Sequence, residues 1–170
     1  MSKVVFLDID GVVCTLRSHY AFGNKGGLME AWDITSCQLI RRLCEKHNYE
    51  IVISSTWRNK PENVRLYLAT YGLIDHLYGE AFPDVVDGSR KFEWVTPHKR
   101  NIPFPDGCDR LLRGHEIQHW LDNHKDVAEF IIIDDDSDML ENQLPRFIHT
   151  DGMDGFGSKD YQKFEELAKG

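Results

Sequence analysis

Residues 4–13 read VVFLDIDGVV: an unbroken apolar run, Val4 to Leu7, that ends in two carboxylates one residue apart, Asp8 and Asp10, and then a glycine. Continuous apolarity, as opposed to alternation, marks a strand buried on both faces. Two like charges at the end of such a strand repel one another and disfavour ionisation unless they face a group that needs them. The pattern recurs downstream. Residues 129–139, EFIIIDDDSDM, drive a second apolar strand into a run of acids, and residues 49–58, YEIVISSTWR, end a third strand in hydroxyl side chains, Ser54 and Ser55.

Helical patterns separate these strands. Residues 35–48, TSCQLIRRLCEKHN, place Leu39, Ile40, Leu43 and Cys44 on one stripe, with Thr35 or Ser36 available to cap the start. Residues 61–72, PENVRLYLATYG, open on Pro61 and stop at Gly72. GHEIQHWLDNHK at 114–125 and KDYQKFEELAKG at 159–170 read as two more helices, and RFIHTD at 146–151 as a last short strand. Strands alternating with helices predict right-handed crossovers and a parallel sheet covered on both faces, an α/β architecture in one domain, 1–170. Such sheets bind ligands beyond the carboxyl ends of their strands. The acids and hydroxyls therefore converge where this fold puts its chemistry.

Composition sets bounds on the rest. Of the 170 residues, 41% are apolar and 28% charged, ordinary for a soluble globular domain. The formal net charge of −8 is opposite in sign to a surface built mainly to hold phosphates, although it leaves room for a local basic groove. The four cysteines, Cys14, Cys37, Cys44 and Cys108, show no CxxC spacing and read as reduced thiols of a cytoplasmic protein. The N-terminal apolar run is broken by Asp8, so neither an export leader nor a membrane span is expected.

In order along the chain, FLDIDGV, VISS and IIIDD resemble the first, second and fourth motifs of the haloacid dehalogenase (HAD) superfamily of phosphoryl-transfer enzymes. The resemblance covers essentially the whole chain and implies a Rossmann-like three-layer sandwich with small insertions in place of a full cap domain. It implies that Asp8 is a nucleophile forming an aspartyl-phosphate. Asp10 would protonate the leaving oxygen and then activate water. Mg²⁺ would be held by Asp8, the Asp10 carbonyl and Asp135, with Asp134 beside them and Asp138 in support. Ser54, or Ser55 if the strand ends one residue later, would hydrogen-bond a phosphoryl oxygen. The usual third-motif lysine is missing from its common Lys-Pro context. Arg113 stands in the matching place, with Lys125 as second choice.

Two other motifs compete. His115-Glu116-Ile117-Gln118-His119 spells the helical zinc signature HExxH, which makes a zinc hydrolase the alternative enzyme. Ile117, Trp120 and Leu121 mark the apolar face, however, so the histidines should point toward solvent, and Asp122 and Lys125 occupy the places of the extended signature's glycine and third histidine. DDDSDM mimics a calcium loop, but Met139 stands where glycine is required and Pro145 where a bidentate glutamate is required. A non-catalytic, Mg²⁺-dependent phosphate-ester binding module is the other rival.

Substrate choice would fall to two insertions, a short flap at 12–34 and a loop or flap at 79–112. The latter is broken by Pro83, Pro97, Pro103 and Pro105 and is expected to lie outside the core. Arg58, His98, Lys99 and Arg100 are candidate substrate contacts, with Trp57, Phe92 and Trp94 available for base stacking. The expected partner is a nucleotide or the terminal phosphate of a nucleic acid.

Overall fold

A computed structural model of the chain describes residues 1–22, 32–87 and 89–170. Residues 23–31, which belong to the 12–34 insertion, lie outside the described residues. The sheet is parallel throughout, in the order β2 (Glu50–Ile53), β1 (Ser2–Leu7), β5 (Val127–Asp134), β6 (Phe147–His149). Val4–Leu7, Ile51–Ile53 and Ile131–Ile133 are fully shielded from solvent, as their unbroken apolarity predicts.

Register is what positions the site. Leu7 pairs with Ile53 on one side and Ile133 on the other, so three strands end level. The ladder runs one bond further on each side, Asp8 N–H donating to Ile133 C=O at 3.0 Å and Ser54 N–H to Leu7 C=O at 2.9 Å. Asp8, Ser54 and Asp134 consequently leave the sheet side by side.

Helices surround the sheet. Phe6 of β1 meets Trp120 of α4 (Arg113–Asn123) edge-on at 5.3 Å. α2 (Ile34–His47) and α5 (Ser158–Leu167) pack on each other, and Tyr49 at the start of β2 meets Phe164 of α5 at 5.2 Å. α3 (Pro61–Thr70) begins at its proline, as expected, and Tyr67 and Tyr71 stack on Trp32. A short α1 (Leu16–Phe22) follows the first acids, inside the 12–34 insertion.

Two expectations need correction. α2 starts at Ile34, earlier than Thr35 or Ser36 would cap it: the Asp33 carboxylate accepts from Ser36 N–H at 2.8 Å, and the Ser36 hydroxyl is instead buried, donating to Phe156 C=O. A carboxylate outcompetes a hydroxyl there because it also suits the positive end of the helix dipole. The second correction concerns 79–112. This stretch does carry a small antiparallel ribbon, β3 (Val85–Val86) with β4 (Ser89–Arg90). Residues 94–96, however, run alongside the tip of β2, with Ile53 N–H donating to Trp94 C=O at 2.7 Å and Thr96 N–H to Ile53 C=O at 3.0 Å. This pairing covers the edge of β2 and sinks Trp94 to 0% exposure, so Trp94 belongs to the core and cannot stack on a base. Replacing Asp33 with alanine should lower unfolding free energy by about 1 kcal/mol, read as a reduced urea midpoint at unchanged slope.

Candidate active site

The level strand ends bring Asp8, Asp134 and Asp135 together, each with a carboxylate oxygen within 4.8 Å of the others. No other group of three potential metal ligands occurs among the described residues. The chain can turn this tightly because Gly11 adopts φ +70° and lies against Asp135: a β-carbon there would sit 2.1 Å from Asp135 Oδ2. Behind the turn, the Thr150 hydroxyl donates to Gly11 C=O at 3.0 Å and Thr150 N–H to Asp134 C=O at 3.0 Å. The end of β6 thus braces both acidic loops.

Burial dominates the electrostatics. Asp8 is 6% exposed, and desolvation lifts its carboxyl above the usual range, aided by the charge of Asp10 and opposed by Arg113, the Ser55 hydroxyl and Ile9 N–H. Asp134 is lifted the same way, first by burial and then by Asp8. Its Oδ2 is buried and accepts no hydrogen bond from the described residues, although Arg113 Nε lies 3.7 Å away. A buried cluster of oxygen ligands with unmet acceptor capacity is the donor set that a hard divalent cation such as Mg²⁺ takes.

Arg113 is held in place from behind. Burial works against its charge, but Asp8, Glu116, Asp134 and Asp138 together keep it more firmly protonated than usual. Its own N–H, at the first turn of α4, donates to Asp138 Oδ2 at 3.0 Å. Gly114 lets that turn press against the 138–143 segment, where a β-carbon would come within 2.5 Å of Leu140 N. The decisive partner is Glu116, at 0% exposure. Its Oε2 accepts from Arg113 Nη1 at 3.0 Å, while its Oε1 accepts from Arg58 Nη2 at 2.6 Å and from Lys99 N–H at 3.0 Å. One carboxylate therefore orients two guanidiniums and a backbone amide.

The other sequence candidates distribute around this core. Asp10 is exposed, and Trp57 Nε1 donates to both of its carboxylate oxygens at 3.0 Å, so Trp57 orients an acid; its indole also packs edge-on against Trp32 and Tyr67. The Ser54 hydroxyl is buried without a hydrogen-bond partner among the described residues, whereas Ser55 is the one that bonds Asp8. Arg58 is only 7% exposed and committed to Glu116 and Thr96, which makes it part of the wall and not a free substrate contact. His98, Lys99 and Arg100 line a cleft together with Arg113. Asp138 serves the start of α4. Lys125 is exposed and pairs with Asp122. The HExxH pattern dissolves: Glu116 is tied to arginines, and His115 Nδ1 accepts from Leu112 N–H at 2.9 Å. Sequence reasoning missed the part played by Glu116, yet a signal existed. It lies one turn before Trp120 and three residues after Arg113, on the edge of the apolar face.

Against known families, residues 4–161 match the HAD domain in Swiss Army Knife RNA repair proteins. The chain belongs to this family. It is therefore a HAD-type domain of the phosphatase kind, as its motifs suggested, built on the parallel sheet described above. No curated protein and no solved structure matches it. Among the described residues, no helix is long and apolar enough to cross a membrane. Glu116→Ala should be among the most damaging single substitutions, because it leaves the buried Arg58 guanidinium without its anion and the half-buried Arg113 with one fewer. We expect a loss of about 3–5 kcal/mol in urea unfolding, with Glu116→Gln losing less.

Proposed function

We propose that the domain is a Mg²⁺-dependent phosphatase that removes terminal phosphate monoesters from nucleic-acid strands through an aspartyl-phosphate. The observation that carries this reading is the meeting of Asp8, Asp134 and Asp135 within 4.8 Å of one another beside the half-buried guanidinium of Arg113. The family's occurrence in RNA repair proteins supports a nucleic-acid end as the substrate.

The donor set fits a hard cation on this structure's own terms, through the orphaned Asp134 Oδ2 and the closely grouped carboxylates. Asp8, Asp135 and the Asp10 carbonyl would hold Mg²⁺ with Asp134 alongside; when bound, it supplies charge that screens the nucleophile from an incoming dianion. Asp8 Oδ attacks phosphorus as the bond to the ester oxygen breaks, and Asp10 gives that oxygen its proton. Asp10 then takes a proton from water, whose oxygen attacks the same phosphorus; the acyl-phosphate bond breaks, freeing inorganic phosphate and restoring both acids. Trp57 keeps the Asp10 carboxylate aimed by its donated hydrogen bond. Arg113 neutralises the phosphoryl oxygens, and the Ser54 hydroxyl, buried just past β2 without a hydrogen-bond partner among the described residues, donates to one of them.

With p-nitrophenyl phosphate and Mg²⁺, the wild-type protein should turn over and Asp8→Asn should not. Arg113→Ala should lower kcat about 10²–10³-fold, and His115→Ala should stay active. Hydrolysis that survives Asp8→Asn, or that follows zinc instead of Mg²⁺, would discard the assignment. A thermal measurement probes the ion site independently of turnover. Asp134→Asn removes one of two buried like charges, so without metal it should melt above the wild type, and added Mg²⁺ should raise only the wild-type Tm.

A further inference from the structure

The surface is cut by two clefts that share a wall, the first of which reaches Arg113 next to the carboxylate cluster. The first, about 800 Å³, is bounded by Thr56 and Asn59 beyond β2, by the short helix Lys99–Asn101 and by Arg113 of α4. Arg58, Lys99, Arg100 and Arg113 bring four cations to it against the single carboxylate of Glu116. That carboxylate is already shared between Arg58 and Arg113. Asp138, 3.9 Å from Lys99 Nζ, is the only further acid paired with these cations among the described residues besides Asp134. In a chain of formal net charge −8, this is positive charge gathered in one place. Arg113 suffices to meet one terminal phosphate, so Lys99 and Arg100 are surplus to a substrate that carries only one.

The second cleft, about 530 Å³, shares Arg58 and His98 with the first. Phe92, Val95 and Pro97 supply its apolar lining and His119, Asn123 and Glu93 polar groups, while Trp120, almost fully buried, is covered by the stacked ring of His124 at 3.7 Å. Phe92 is itself braced edge-on by the buried Trp94 at 5.2 Å. Burial, and then the charges of Arg58 and Arg100, hold the His98 imidazole below its ordinary pKa, which leaves a neutral ring at the junction of the two clefts. A cationic slot beside an aromatic surface with amide and imidazole groups is matched by one repeating chemistry: a phosphodiester followed by a nucleobase.

We infer that these two clefts form a track for the strand behind the scissile phosphate. The next phosphodiester lies against Lys99 and Arg100, and a base rests on Phe92 and Pro97. This inference depends on the proposed nucleic-acid-end activity and adds that the preferred substrate is longer than a mononucleotide. It also gives the 91–101 segment and His119 of the HExxH sequence a place in substrate selection.

Binding and turnover separate this inference from the reading beneath it. Fluorescently labelled single-stranded trinucleotides, RNA and DNA, each with a 3′- or a 5′-terminal phosphate, are titrated into Asp8→Asn protein with Mg²⁺ and followed by anisotropy. At least one should bind tenfold or more tightly than the corresponding labelled mononucleotide, with affinity falling steeply as salt rises. Arg100→Ala and Phe92→Ala should each erase most of that gain. In the wild-type background they should lower the ratio of trinucleotide to p-nitrophenyl phosphate kcat/KM by about tenfold, the size expected for loss of one stacking or phosphate contact. Equal affinity for the mononucleotide and every trinucleotide would overturn the track even if Asp8-dependent hydrolysis is present. Absence of that hydrolysis would instead strike the proposed activity, and the anisotropy would still decide whether the clefts hold a strand.

Discussion

Everything in this domain is arranged around carboxylates forced together where a parallel sheet ends. At an effective dielectric constant of ~20, two unit charges within 4.8 Å repel by at least about 3 kcal/mol. That is a large share of the ~5–15 kcal/mol by which a domain of this kind is stable. The repulsion arises because Leu7 is level with Ile53 and Ile133, a register that the apolar side chains of three fully buried strands enforce. The hydrophobic core thus holds in place a charge arrangement that would disperse on its own. Arg113 tempers it from one side, and the proposed cation would complete the balance.

The buried group at Glu116 explains how a lone arginine at a helix start can be both charged and fixed. A cation at the N-terminal turn of α4 opposes the helix dipole. The structure overcomes this with two devices: Asp138 accepts the Arg113 N–H, and the Glu116 carboxylate grips its guanidinium. Because Glu116 also holds Arg58 and the Lys99 N–H, it ties α4 to the segment after β2 and to the loop that borders the basic cleft. Buried ion groups of this sort contribute little net stability against an apolar core of the same shape, while removing one member is costly. What they confer here is geometry.

The architecture was legible wherever hydrophobic pattern alone decides it. The strand ending in Asp8, the strand ending in Asp134 and the proline at the start of α3 could all be read directly, since periodicity and caps are local signals. Grouping of Asp8 with Asp134 and Asp135 followed from the rule that strand ends converge. Failures came where tertiary partners override local appearance. Trp94 sits in a proline-broken stretch yet fills the core, because the edge of β2 needed covering. Arg58 looked like a substrate contact, but its anion lies 58 residues away on α4. Glu116 was hidden inside a motif whose spacing mimics a zinc site, and only its neighbours reveal its use. Trp57 looked like a stacking platform, and its indole N–H turned out to serve Asp10.

The pairing of β1 with β5 joins residues more than a hundred positions apart, Leu7 with Ile133. Asp8, Ser55 and Arg58 are made before α4, whereas Arg113 and Glu116 belong to α4 and Asp134 to the end of β5. A nascent chain that stops before α4 therefore has Asp8 on a strand lacking its β5 neighbour, with neither Arg113 nor Asp134 beside it. Contacts so distant along the chain are slow to close. The site is in effect withheld until α4 and β5 have been made, and a fragment that stops short of them would hold only one of its halves.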